Sequence, residues 1–474
     1  MVFDPFARTR TLVRVRPTPN ILFLFTDQQR LDSLGVLSPW ARTPNLDALA
    51  AEGIIFTDAV TNAPVCMPAR LALATGTYPH NFGLWRNGPF PGPPPGFDTW
   101  MRGVRDAGYR TSLFGKLHLH TIRGETDVRD HIDRVHEIGF DDVVEVVDAR
   151  GSLTRMSDMT DAWHDAGVYD AFKKDLDDRG FYTPHFVRPA ALPLELYYDV
   201  WVAQQAKAHL EALPADRPWM CMVGFPGPHE PWDAPEPYAS AFDPSDMPEP
   251  LSPIELGSSP VPTSYDDLQG RFALTDQELA ALRADYAGSV LLIDEQVGAL
   301  LDTVRRRGEW DDTIVVFCAD HGEMNGDHGL VWKNTFLDGA LRIPLVLRVP
   351  DQSDPGRVSH EMVELIDVGA TLLDYAGGSM LSPSHGLSLR GLVDDPGAPG
   401  RPFVVSEFAR DRMIMDRHHK LVVNRDDQPA WLIERTDSTE SRNAIDDPAA
   451  AVIVDRLHAQ LRQHQRDTAR PRRT

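Results

Sequence analysis

Residues 21–27, Ile21-Leu22-Phe23-Leu24-Phe25-Thr26-Asp27, decide how the rest of the chain is read. Five apolar residues in succession, without the polar alternation of a half-exposed strand, are the pattern of a strand buried on both faces of a parallel sheet. The run stops abruptly at polar residues, Thr26-Asp27-Gln28-Gln29. The same design recurs three times. Tyr109 to Phe114 leads into Gly115-Lys116-Leu117-His118, Trp219 to Phe225 delivers Gly227-Pro228-His229-Glu230-Pro231-Trp232, and Thr313 to Ala319 stops at Asp320-His321-Gly322-Glu323. Ile54-Ile55-Phe56 and Pro344 to Val349 are further strand candidates.

Helical stretches lie between these runs. Thr43-Pro44 opens one that Gly53 closes, and Asp98 caps another that Gly108 ends. Leu194 to Leu213 has helical periodicity, Asp276 to Arg307 reads as a long helix with room for a break, and Glu361 to Tyr375 as one more. Residues 121–190 read as long loops with short helices, and the Pro- and Ser-rich stretch near 243–263 as a surface loop. Alternation of this kind implies an α/β fold, a large mostly parallel mixed sheet with helices on both faces.

From about Arg401 the rhythm shortens. Phe403 to Ser406, Arg412 to Met415, Lys420 to Val423 and Ala430 to Glu434 predict a small C-terminal antiparallel sheet, followed by a helix from Pro448 to about Gln463. The expected division is an extension over 1–19, an α/β domain over 20–400, a sheet-and-helix subdomain over 401–465, and a basic, frayed tail over 466–474.

In an open parallel sheet, ligands bind at the carboxyl ends of the strands. Asp27 and Gln28, Lys116 and His118, His229, and Asp320 and His321 can therefore meet, although they are scattered along the chain. Any one of them alone reads as a turn residue; four strand ends of this kind together point to a site. Asp27, Gln28, Asp320 and His321 offer carboxylate, amide and imidazole donors suited to a divalent cation. Oxygen ligands favour Ca²⁺ or Mg²⁺, and one imidazole also admits Mn²⁺.

The stretch Pro64-Val65-Cys66-Met67-Pro68-Ala69-Arg70 continues through good helix formers to Thr75-Gly76. Cys66 thus stands at a helix start, where unpaired N–H groups favour an anion or a nucleophile, and Arg70 lies one turn on. An isolated cysteine there is most simply a buried structural residue.

Composition narrows the setting. Among 474 residues, 47 Lys and Arg face 70 Asp and Glu, a formal charge of −23 that argues against a nucleic-acid or anionic-membrane partner. An anionic substrate then needs a local basic pocket. Three cysteines, Cys66, Cys221 and Cys318, cannot build a disulfide framework. The arginine-rich start (Arg8, Arg10, Arg14, Arg16) carries no apolar run long enough for a signal peptide, and no later run approaches a membrane span, so a cytoplasmic location is expected.

Cys66-x-Pro68-x-Arg70 running into Thr75-Gly76-Thr77-Tyr78-Pro79-His80 resembles the signature of the type I sulfatases, with Ala69 where that family most often has Ser. The resemblance extends from Asn20 through Thr43-Pro44-Asn45-Leu46-Asp47 to Glu434-Arg435-Thr436-Asp437. It implies the alkaline phosphatase superfamily fold and hydrolysis of a sulfate monoester. It implies a formylglycine made from Cys66 by a formylglycine-generating enzyme, and one divalent metal, Ca²⁺ first, bound by Asp27, Gln28, Asp320, His321 and the residue-66 side chain. In the same pattern Lys116 binds the sulfate and the nucleophile, His118 takes a proton, and His229 and Lys333 occupy the remaining sulfate-binding and leaving-group positions.

Two departures keep a second reading open. Sulfatases usually carry Asp and Asn where this chain has Gln28 and His321, and both variants resemble phosphonate monoester hydrolases of the same superfamily. Lys116 and His118 favour the sulfate ester over a phosphonate monoester or phosphodiester. A third reading is a non-catalytic anion-binding protein with unmodified Cys66. Specificity is expected from residues 121–190, from Trp85-Arg86-Asn87 and from the C-terminal sheet, with aryl, sugar and small-alcohol sulfates all open. Oligomeric state, a homo-oligomer included, is open too.

Overall fold

The computed structural model describes residues 18–90, 92–93, 97–120, 126–180, 186–256, 262, 274–380 and 382–470. The expected extension (through residue 17), the last four residues of the tail, and parts of the 121–190 and 243–263 stretches lie outside these residues. In Asn20–Thr26 the apolar run is fully buried, and its side chains alternate between two cores. Ile21, Phe23 and Phe25 enter one core and Leu22 and Leu24 the other. This is why the run needs no polar alternation.

Among the described residues the main sheet has eight strands. Across it the order is Arg357–Ser359, Ile54–Phe56, Leu345–Arg348, Thr313–Ala319, Asn20–Thr26, Trp219–Gly224, Arg110–Lys116 and Asp142–Val146. All neighbours are parallel except Leu345–Arg348, which is antiparallel to both of its own. The helices Pro44–Ala51, Tyr198–Ala212 and Asp276–Arg306 pack on one face, and Cys66–Thr75, Trp100–Asp106 and Leu365–Tyr375 on the other. Cys221 and Cys318 are buried in their strands as free thiols.

The four strands that end in polar chemistry are consecutive neighbours. The pairing continues past their ends, with Asp27 N–H donating to Gly227 O at 3.1 Å and Asp320 N–H to Thr26 O at 3.2 Å. Gly115 makes the close approach possible. Its φ is +101°, and a Cβ there would lie 2.0 Å from Gly224 O, so only glycine lets the backbones meet just before Lys116.

Val404–Phe408, Asp411–Met415, His419–Val423 and Pro429–Glu434 form the separate antiparallel sheet, in that order. One of its faces joins the main core through Met413, Val422 and Trp431. The other packs on the Ala451–Thr468 helix through Leu457 and Leu461.

Several boundaries differ from expectation. The Asp276–Arg306 helix is unbroken over 31 residues, started by a reciprocal Thr275–Glu278 capping box. The helix expected from Glu361 begins at Leu365, because Val363-Glu364 pairs in parallel with Ala59-Val60. The last helix runs to Thr468, so residues 466–468 are helical and not frayed. Thr43 precedes its helix but does not cap it. Its hydroxyl donates to Asp47 at 2.9 Å, while Asp294 on the long helix accepts from the Asn45 and Leu46 amides.

Thr99, not Asp98, caps the Trp100–Asp106 helix: its hydroxyl oxygen accepts from Arg102 N–H at 3.3 Å, and the hydroxyl donates to Ile138 O. Asp98 sits one residue early and accepts from the Thr99 amide instead. Thr99→Ala is expected to cost about 1–2 kcal/mol through the lost cap and an unpaired buried carbonyl. A urea unfolding midpoint equal to that of the unsubstituted protein would contradict this.

Candidate active site

Cys66 opens the Cys66–Thr75 helix, every residue of which is buried, and Gly76 closes it in the left-handed conformation at φ +64°. The residue before the helix, Val65, cannot cap it; the first-turn Met67 amide donates instead to the side chain of Asn87, whose Oδ1 lies at 2.9 Å. The helix places Cys66 over the carboxyl ends of the strands. Its Sγ lies 3.5 Å from Asp27 Oδ1 and 3.1 Å from His321 Nε2. One donor atom each from Asp27, Cys66, Asp320 and His321 falls within 4.8 Å of the others, all four residues being buried.

Hydrogen bonds aim these donors. His321 Nδ1 lies 2.9 Å from Gly322 O, which assigns the proton to Nδ1 and turns the Nε2 lone pair toward Cys66. Burial lowers the His321 pKa and so favours the neutral ring. Asp320 Oδ1 accepts from the Gln28 and His321 amides at 3.0 and 2.9 Å. Asp27 and Asp320 share Arg70, whose Nη2 reaches Asp27 Oδ2 at 3.2 Å and whose Nε reaches Asp320 Oδ2 at 2.7 Å. Two buried carboxylates, an imidazole lone pair and a sulfur or oxygen at residue 66 suit a divalent cation.

Gln28 stands apart from that cluster by its side chain. Its amide N–H groups face Glu230 Oε2, at 3.1 Å, and Glu323, and its Oε1 accepts from Lys333. Gln28 adopts φ +68° and His118 φ +57°, with Trp332 and Asn334 flanking Lys333 also in the left-handed region. Non-glycine residues held in this way also occur in turns elsewhere in the chain, but these four carry or adjoin the side chains gathered here.

The cations are arranged around Cys66. Lys116 Nζ lies 2.8 Å from Asp27 Oδ2 and 3.3 Å from Asp148 Oδ2. Burial works against its charge, but Asp27 and Asp148 outweigh it and raise the pKa. Burial likewise opposes an ionised Asp27, yet Lys116, His229 and Arg70 hold it well below the usual carboxylate range. Lys333 is buried and kept charged chiefly by Cys66 and Glu230 against the cost of burial.

The two histidines are set apart by their surroundings. Burial and the neighbouring Lys116 push His118 well below the ordinary imidazole value, leaving a neutral ring whose Nδ1 is buried and unpartnered. His229 is raised: burial opposes its charge, but Glu230, 3.3 Å away, prevails. Lys116 and His118 line a cavity of about 400 Å³ together with Met67, Asn87 and Asp148.

Sequence reasoning missed Asp148, and the part played by Glu323, which burial pushes up to about 7 and which holds Gln28. Glu323 stands in the segment already singled out at Asp320. Asp148 lies in a stretch without pattern and carried no signal.

A strand-end site of this composition, on an α/β sheet covered on both faces, has a known counterpart. The sulfatase family model matches residues 19–379, and the model for the N-sulphoglucosamine sulphohydrolase C-terminal region matches residues 326–467. The chain belongs to the sulfatase family, the sulfuric ester hydrolases of the alkaline phosphatase superfamily. Among its relatives, an arylsulfatase of Clostridium perfringens is 28% identical over 431 residues, covering 88% of this chain and 86% of that one. A choline-sulfatase of Rhizobium meliloti is 29% identical over 388 residues, covering 76% and 68%. The solved phosphonate monoester hydrolase of Silicibacter pomeroyi superposes with a TM-score of 0.78 at 26% identity, covering 95% and 96%. No helix among the described residues is long and apolar enough to cross a membrane.

Proposed function

We propose that the protein hydrolyses a sulfate monoester to an alcohol and inorganic sulfate. In this reading Cys66 is carried as formylglycine, made by a formylglycine-generating enzyme. One divalent cation, Ca²⁺ before Mg²⁺ or Mn²⁺, is held by Asp27, Asp320, His321 and the residue-66 side chain, with Gln28 at its edge. The observation that carries the reading is the gathering of Lys116, Lys333 and His229 about Asp27, beside Cys66, with Arg70 bonded to both carboxylates.

When bound, the cation supplies Lewis-acid chemistry to the sulfate group. Carried as hydrated formylglycine, residue 66 would offer one hydroxyl as nucleophile toward sulfur and a second whose loss of a proton would expel inorganic sulfate as the aldehyde returned. Lys116 and Lys333 place fixed positive charge where the sulfate oxygens sit and where charge shifts in the transition state. His229, held toward its cationic form by Glu230, protonates the departing alcohol, with Lys333 as the alternative donor. His118, held neutral, accepts the proton that frees the enzyme. Arg70 fixes the carboxylates.

A second reading, hydrolysis of a phosphonate monoester or phosphodiester, is favoured by Gln28 and His321 and by the likeness to the Silicibacter pomeroyi enzyme. One aryl group offered as sulfate, phosphate diester and phosphonate monoester separates the two. The assay uses protein whose Cys66 peptide is lighter by about 18 Da, the difference between thiol and aldehyde side chains. Preferential turnover of the phosphorus esters would reverse the ranking, and a peptide never lightened in its native host would leave an anion-binding protein.

His229→Ala tests the acid. Its kcat/KM on an alkyl sulfate is expected to fall about 10²–10⁴-fold, the range of general acid catalysis, and much less on 4-nitrophenyl sulfate, whose leaving group departs unprotonated. Equal losses on both would remove His229 from that role.

A further inference from the structure

Beside the reaction cavity lies a second, more open recess of about 430 Å³. The two share one wall, Asn87-Gly88-Pro89, which the Met67–Asn87 hydrogen bond ties to the catalytic helix. Three arginines line the recess, Arg86, Arg410 and Arg425, and no acidic residue does. Among the described residues neither Arg410 nor Arg425 forms an ion pair, in a chain whose formal charge is −23 and whose arginines are elsewhere largely matched to carboxylates.

The recess is built, not left over. Arg410 sits at the tip of the hairpin joining Val404–Phe408 to Asp411–Met415, where Ala409 and Arg410 hold φ of +53° and +71°. Such two-residue turns favour Asn-Gly, so alanine and arginine there are kept at a cost in backbone strain. Three contacts fix the tip against residues 85 and 86. Ala409 N–H donates to Trp85 O at 3.2 Å, the Arg410 guanidinium lies 5.3 Å from the Trp85 ring centre, and that of Arg86 lies 4.9 Å from the Phe408 ring. Arg425 comes from the turn joining His419–Val423 to Pro429–Glu434 in the same sheet, its amide held by Asp411 at 2.8 Å.

We infer that Arg410 and Arg425, with Arg86, form a second anion subsite, so that the preferred substrate is a sulfate ester whose alcohol carries its own negative charge, a carboxylate or a further sulfate. This rests on the sulfatase reading: the reacting sulfate belongs to Lys116 and Lys333 inside, and the leaving group extends past Asn87. Guanidinium groups without a carboxylate partner, as those of Arg410 and Arg425 are among the described residues, concentrate anions locally in a cleft even on an acidic protein.

The test is calorimetric binding of trigalacturonate, which has carboxylates only, of sulfated maltotriose, and of neutral maltotriose. At least one charged trisaccharide is expected to bind about tenfold more tightly than the neutral one, and which one does so names the second anion. The Arg410→Ala/Arg425→Ala protein is expected to lose that preference, and Arg410→Lys/Arg425→Lys to recover part of it, with thermal unfolding verifying that both variants are folded. Equal binding of charged and neutral sugars, or an undiminished preference in the double alanine variant, overturns the subsite. Turnover of 4-nitrophenyl sulfate by the formylglycine-bearing protein is measured alongside: its absence sinks the sulfatase reading and leaves the binding result to be judged alone.

Discussion

Cys66→Ala is expected to abolish turnover of sulfate esters, with kcat/KM falling on the order of 10⁴-fold or more, as when a nucleophile acting in concert with its neighbours is deleted. The loss is specific because the substitution removes one atom from the point at which Asp27, His321 and Asp320 converge. Fold and stability should be nearly unchanged, since the helix around residue 66 is anchored by the buried residues that follow it. Cys66→Ser separates two ideas. A serine hydroxyl can attack once but has no second hydroxyl, so a single burst without further turnover is expected. Sustained turnover by either variant would show that residue 66 is not the nucleophile.

Arg70→Ala is the second large effect, and it acts on stability. Arg70 is buried, with its guanidinium bonded to Asp320, Asp27 and the Lys116 carbonyl and lying 4.8 Å from the Phe25 ring centre. Without it Asp27 retains Lys116, but Asp320 retains chiefly two backbone amides. Breaking a buried charge pair from one side costs about 3–5 kcal/mol. The variant is therefore expected to melt far below the unsubstituted protein in chelator and to regain part of the difference in excess Ca²⁺, because an ion that binds only the folded state stabilises it. Identical melting of the two proteins in chelator would mean that Arg70 does not hold the pair.

Much of this was legible in the chain itself, and the reason is local. A strand buried on both faces must be apolar throughout, so Ile21 to Phe25 and Thr313 to Ala319 announce themselves, and the first polar residue after each marks the edge where ligands bind. The meeting of Asp27, Asp320 and His321 with Cys66 follows from that edge. Details set by packing between distant segments were not legible. Whether Thr43 caps its helix depends on Asp294, and whether Gln28 points at a cation depends on Lys333, Glu230 and Glu323. Asp148 was invisible because one acidic residue in a polar stretch looks like any other, and only the fold shows that it faces Lys116.

The strand order has a temporal side. The first strand of the described residues lies in the middle of the sheet, and one of its partners, the strand before Asp320, follows about 290 positions later along the chain, Asn20 pairing with Thr313. At ribosomal speeds of about 5–20 residues per second that gap lasts roughly 15–60 s. For most of it Cys66 has already been synthesised, yet the pocket that will enclose it, where it ends 1% exposed, does not exist. On the proposed reading, a maturation enzyme would meet the thiol on an unfinished polypeptide, and translation rate would become a control on the fraction of molecules converted.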